Sequence, residues 1–95
     1  MAVVGVLTLE IRLENAHSLK DKRNVVQSLK NRLRNKFNVA VAEIDAQDVW
    51  QRATVAAVTV SSSHIFAEKV LRSVEDEAVA LLGPELADAT LEWLE

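Results

Sequence analysis

The hydrophobic period of this chain switches from two residues to about 3.6 and back, twice over, and that alternation restricts its fold more than any other feature. In the opening MAVVGVLTLEIRLE, Leu7, Leu9, Ile11 and Leu13 point one way while Thr8, Glu10 and Arg12 point the other, which predicts a half-buried strand over 3–14. Ser18-Leu-Lys-Asp21 then fits a capping box with Asp in place of the preferred Glu. Leu19, Val26, Leu29, Leu33 and Phe37 follow at helical spacing, predicting a helix of about 18 residues. NVAVAEID (38–45) and ATVAAVTVS (53–61) are β-rich runs joined by the short connector AQDVWQR, a hairpin. Ser61-Ser62-Ser63 supplies the next cap. Phe66, Val70, Val74, Ala78 and Leu81 form the expected buried stripe of a second helix, which Gly83-Pro84 stops. DATLEWLE (88–95) alternates again through Ala89, Leu91 and Trp93.

The order β-α-β-β-α-β predicts an α+β, ferredoxin-like βαββαβ domain: a four-stranded antiparallel sheet with two helices on one face and strands one and three central. Its 95 residues suffice for one such domain, spanning 1–95, and are too few for two. The absence of cysteine excludes disulfides and thiolate metal sites. Neither a P-loop nor GxGxxG is present, so no cofactor and no metal is expected. The apolar opening lacks a basic n-region and reads as a strand instead of a signal peptide. No apolar run approaches the roughly 20 residues that span a bilayer. The expectation is a soluble cytoplasmic protein without a membrane partner.

The net charge of −3 conceals an asymmetry: residues 1–18 carry −1, 19–37 carry +6, 38–63 carry −2 and 64–95 carry −6. Projected at 100° per residue, Lys20, Arg23, Gln27, Lys30 and Arg34 fall in one row along a flank of the first helix, edged by Asn24, Asn31 and Asn35. Arg32, Arg34 and Lys36 complement the dipole at the C-terminal end. Lys20, Lys22 and Arg23 oppose it at the N-terminal end, at about 0.3–1 kcal/mol for each cation before screening. A row of cations beside amides suits a phosphate backbone; the plainer alternative is a solvated face.

Tracing the predicted fold brings HSLKDKR (17–23) and QDVWQR (47–52) to one end of the molecule, with Ser61–Ser63 and His64 at the other. The hairpin connector has none of the Gly, Asn or Pro that tight turns recruit. Instead it carries Val49 and Trp50. Trp50 either folds back to close the core, with Asp48 pairing a nearby cation, or stands exposed to stack on a base, with Arg52 adding a contact.

HSLKDKR, the stretch Arg34-Asn35-Lys36-Phe37-Asn38, VAEID and QDVWQRA together resemble the YlxP-like family of small bacterial proteins, over nearly the whole chain. The resemblance implies a ferredoxin-like fold and a gene often sited among translation-initiation and ribosome-maturation genes; the family's function is unknown. Its motif positions fall on His17, Ser18, Leu19, Lys20, Lys22 and Arg23, then on Gln47, Asp48, Trp50 and Gln51.

Catalysis finds little support. His17 and His64 are expected at opposite ends, and Ser18, next to His17, is occupied as a cap. Glu43 and Asp45 alternate on strand two, as a carboxylate pair or as a solvated edge. An acylphosphatase-like site needs a glycine-rich loop where this chain has ENAHSLK. The two central strands lack the aromatics with which an RRM stacks bases. Apolar residues on both sides of the sheet, Val4 and Val6 with Ala56, Val58 and Val60, lead instead to the expectation of a homodimer through the open sheet face.

The sequence therefore reads as a non-enzymatic module that contacts structured RNA, such as ribosomal RNA or its precursors. Lys20, Arg23, Lys30 and Arg34 would meet phosphates, with Lys22 helping at the helix start. Trp50 and Arg52 would form a second contact, and Asp48 would order the cluster beside His17 and Ser18. The alternative is a protein-interaction module that docks on an acidic partner or on itself; a small hydrolase-like enzyme ranks third.

Overall fold

The computed structural model describes residues 1–94 and has the expected order: β1 (Val3–Arg12), α1 (Leu19–Lys36), β2 (Ala40–Asp45), β3 (Arg52–Ser61), α2 (His64–Leu82), a 3-10 turn (Gly83–Glu85) and β4 (Leu86–Leu94). The strands lie in the order β2-β3-β1-β4, and every neighbouring pair is antiparallel. This is the ferredoxin-like arrangement, with β1 and β3 central.

The pleat sorts each strand into two faces. Leu7, Leu9 and Ile11 of β1, Ala53, Val55 and Ala57 of β3 and Val41 of β2 are buried beneath Val26, Leu29 and Leu33 of α1 and Leu71, Val74, Ala78 and Leu82 of α2. Among the described residues no layer covers the opposite face of the sheet. There the β1–β3 register sets Val4 against Val60, Val6 against Val58 and Thr8 against Ala56.

The buried stripe of α2 differs from the expected one. Ala67, Leu71, Val74, Ala78 and Leu82 face the sheet, whereas Phe66 is 60% exposed. The reason lies in β1. A Cβ placed on Gly5 would come within 2.6 Å of Leu71 Cδ1 and 2.9 Å of Trp93 Cζ3. The bare glycine backbone and the small Ala67 allow a close approach that a phenylalanine would block. On its other side, α2 is tied to α1 by Glu77, which pairs with Lys36 at 2.7 Å and Arg32 at 3.2 Å. Those two cations hold the Glu77 carboxyl below its ordinary pKa, Lys36 having the larger effect. No helix among the described residues is long and apolar enough to cross a membrane.

Candidate functional site

The site is built where α1 begins. Ser18 caps the helix, its Oγ accepting from the Asp21 amide at 3.1 Å, and Asp21 Oδ2 accepts in return from the His17 amide at 2.9 Å. This is a capping box displaced by one residue, since the return bond reaches His17 and not the cap itself. It fixes the direction in which α1 leaves the loop, and with it the face each cation presents. The Ser18 hydroxyl oxygen is committed to the helix, and His17 is exposed.

Lys22 departs from the expectation that it helps bind phosphate. It is 1% exposed and occupies the stripe that Val26, Leu29 and Leu33 continue. Its ammonium donates to the carbonyls of Ala46 and Arg52, the latter at 3.2 Å, and meets Glu43 Oε2 at 2.8 Å. Glu43 Oε2 is itself buried, and this ion pair is its one polar contact among the described residues. Burying an ammonium is tolerable only with such partners, and here they span both ends of the β2–β3 connector. Lys22 therefore staples the hairpin to the helix.

The staple explains a turn made without glycine. Ala46 has φ +61°, in the left-handed region that a side chain disfavours by about 1–2 kcal/mol. Its amide donates to Asp45 Oδ1 at 2.8 Å, and its carbonyl also accepts from the Val49 amide at 3.1 Å. The amide of Leu13 donates to the Gln51 carbonyl at 2.9 Å, so the loop after β1 and the hairpin sit side by side as the topology requires. At the hairpin's tip, Asp48, Val49, Trp50 and Gln51 line an open groove of about 400 Å³, and Trp50 is 50% exposed. Trp50 does not close the core. Asp48 is exposed and makes no side-chain hydrogen bond or ion pair among the described residues, so the ordering role expected of it falls to Asp21 and Glu43.

The remaining cations divide by flank. Arg32 and Lys36 face α2 and are paired with Glu77. Lys20, Arg23 and Lys30, on the flank over β2, form no ion pair among the described residues; Lys20 and Arg23 are exposed and Lys30 half-buried. Arg34 ends this row, and it donates to the Val41 carbonyl at 2.8 Å, closing part of the free edge of β2. The Gln27 amide donates to Asn31 Oδ1 at 2.9 Å, which steadies the polar border of the row. From Lys20 to Arg34 the row extends about 21 Å at 1.5 Å per residue. Arg52 is not part of it. The register sets Arg52 opposite Arg12, at the end of β1 and β3, with its side chain on the open sheet face because Ala53 points inward.

For Lys22 and Glu43, which reasoning from sequence placed wrongly, a signal was present. Lys22 stands four, seven and eleven residues before Val26, Leu29 and Leu33, and Glu43 shares the inward phase of Val41. At the far end of the molecule His64 packs edge-on against Trp93, ring centroids 4.0 Å apart, well away from His17. No group of three or more His, Cys, Asp or Glu side chains among the described residues is arranged to hold a metal ion.

Comparison with known proteins gives this geometry a family and a fold. The model of a family described as a protein of unknown function, DUF503, matches residues 4–90. The uncharacterized protein YlxP of Bacillus subtilis (strain 168) is 42% identical over 72 residues, which cover 76% of this chain and 78% of that protein. Among solved structures, the de novo designed protein Foldit4 superposes with a TM-score of 0.61 at 10% identity, covering 100% of this chain and 98% of its own. A putative antibiotic biosynthesis monooxygenase from Bordetella bronchiseptica gives 0.57 at 13% identity, covering 100% and 97%. A dimeric ferredoxin-like protein of unknown function from Thermobifida fusca gives 0.50 at 14%, covering 96% and 90%. At such identities these structures share the fold and nothing finer.

Proposed function

The chain belongs to the DUF503 family, whose function is unknown, and from that premise we propose that it is a non-enzymatic module that contacts structured RNA through the β2-side flank of α1 and the neighbouring hairpin. One observation carries the reading. The cations of α1 are sorted: Arg32 and Lys36, facing α2, share the carboxylate of Glu77, while Lys20, Arg23 and Lys30 form no ion pair among the described residues, in a protein whose net charge is −3. A merely solvated helix has no reason to place Lys20 and Arg23 at its positive end, where they oppose the dipole. An anion in front of them removes the conflict.

Lys20, Arg23, Lys30 and Arg34 are the phosphate-contacting residues, and Trp50, held at the same end of the molecule, is the surface on which an unpaired base stacks. Asn24 and Asn31 border the row with groups able to bond sugar or base edges. Lys22 has no direct part: it sets the hairpin's position. The reading agrees with the translation and ribosome-maturation setting that the family resemblance implies. Its test is an anisotropy titration of the protein with a ribosomal RNA fragment over a range of salt. Four phosphate contacts give a log–log salt slope of roughly −3 to −3.6. Absence of binding at low salt rejects the proposal. Labelled RNA that an acidic polypeptide displaces at lower concentration than unlabelled RNA does would favour an acidic protein partner on the same flank.

A further inference from the structure

We propose that the open face of the sheet seats a second copy of this chain. The face is divided along its length. Toward the start of β1 it is apolar, with Val4, Val6, Ala56, Val58, Val60 and Leu94 in adjacent register positions. Val60 is 61% and Leu94 60% exposed. Antiparallel sheets with one solvated face ordinarily place polar residues there, so this half is built to be covered.

The other half of the face argues for one occupant. Arg12 and Arg52 stand directly opposite each other on β1 and β3, an unfavourable cross-strand pairing of like charge. Neither has an ion-pair partner among the described residues. Acids are present on the same face but on other positions: Glu10 opposite Asp88, and Glu92 opposite Val6. With Asp45, which the register sets beside Thr54, four acids stand against two arginines, so the face carries both signs. A strongly acidic or basic partner would not match it, whereas a second copy offers carboxylates to the arginines and valines to the valines. Its hydroxyls cost little to desolvate, because Thr54 already donates to Glu10 at 2.9 Å and Thr90 to Asp88 at 3.4 Å.

The area is adequate. Four strands about 4.8 Å apart, most of them nine or ten residues long at about 3.4 Å each, give a face of roughly 550 Å² per copy. Two copies bury roughly 1,100 Å² or more, above the ~1,000 Å² that a specific interface needs. Both helices lie on the far side of each sheet, so the basic flank of α1 stays open in each copy. The pairing is independent of what that flank binds.

Sedimentation velocity of the full chain decides the matter, with Val58→Glu in the centre of the face, Val60→Lys at its rim and Phe66→Glu on α2 as the apolar control. The expected result is a wild-type species of twice the 10.5 kDa chain mass. Val58→Glu and Val60→Lys should sediment as monomers with the wild-type far-UV dichroism, and Phe66→Glu as a dimer. Should Val58→Glu fail to fold, Val60→Lys decides alone, since that side chain is already exposed in the single chain. A wild-type protein that stays monomeric at every concentration overturns the proposal. So does a folded sheet-face variant that remains dimeric.

Discussion

Lys22 links the fold of this protein to its candidate site. Its Nζ ties α1 to both ends of the β2–β3 connector, and Ala46 keeps a left-handed backbone within that tie. Lys22→Ala leaves two carbonyls and the Glu43 carboxylate without their cation. Breaking a fully buried pair costs about 3–5 kcal/mol; with Glu43 still 17% exposed, the expected loss is about 2–4 kcal/mol in urea unfolding. A near-wild-type midpoint, with RNA affinity reduced instead, would return Lys22 to the phosphate-binding role that its position in HSLKDKR suggested. Ala46→Gly relieves the left-handed strain and loosens the unfolded chain by a similar amount, so its net effect is expected within about 1 kcal/mol of zero. The sequence hid this arrangement for a physical reason. Lysine is almost never fully buried, and only the contact with Glu43 and two distant carbonyls makes burial tolerable.

At the scale of the element, α1 has two flanks with opposite economies. On the α2 side, Lys36 and Arg32 lower the pKa of Glu77, so the folded state favours the ionised carboxylate. That contribution is fully present above the ordinary carboxylate pKa and is lost as pH falls through the lowered value. Glu77→Gln should therefore lower the melting temperature at neutral pH, and the gap to wild type should close in acid; a gap independent of pH would refute the pairing. On the β2 side, Lys20→Ala/Arg23→Ala removes two cations from the positive end of the helix. It should raise stability by a few tenths to about 1 kcal/mol while weakening RNA binding. The stripe of α2 was legible only in part. Val74 and Ala78 are buried and Val70 and Leu81 pack against the core as expected, but the large Phe66 was assigned to the stripe where Ala67 is buried instead. Small residues mark close approach here, and Gly5 is its counterpart on β1. Gly5→Ala should cost about 1–3 kcal/mol, because Leu71 and the Trp93 ring must move.

For the molecule as a whole, alternating periods were enough to recover element order, sheet topology and the placement of both motifs at one end, because the inward phase of β1 is written in Leu and Ile and those of the other strands in Val, Ala and Leu. Partnerships between charges were less legible. Sequence gives a cation's position on a helix but not the strand residue that meets it, so Lys22, Glu43 and Arg52 were misplaced while Lys20, Arg23 and Lys30 were not. The central claim is that the position of the cations, and not their number, makes the RNA surface. It is tested by titrating a labelled ribosomal RNA fragment, across a range of salt, into wild type and two variants of equal charge, Lys20→Ala/Arg23→Ala and Arg32→Ala/Lys36→Ala. The account predicts that the first variant loses affinity and that its salt slope falls by roughly 1.4–1.8, the share of two phosphate contacts, while the second keeps both. Equal losses in the two variants, or no binding by wild type at low salt, would contradict it.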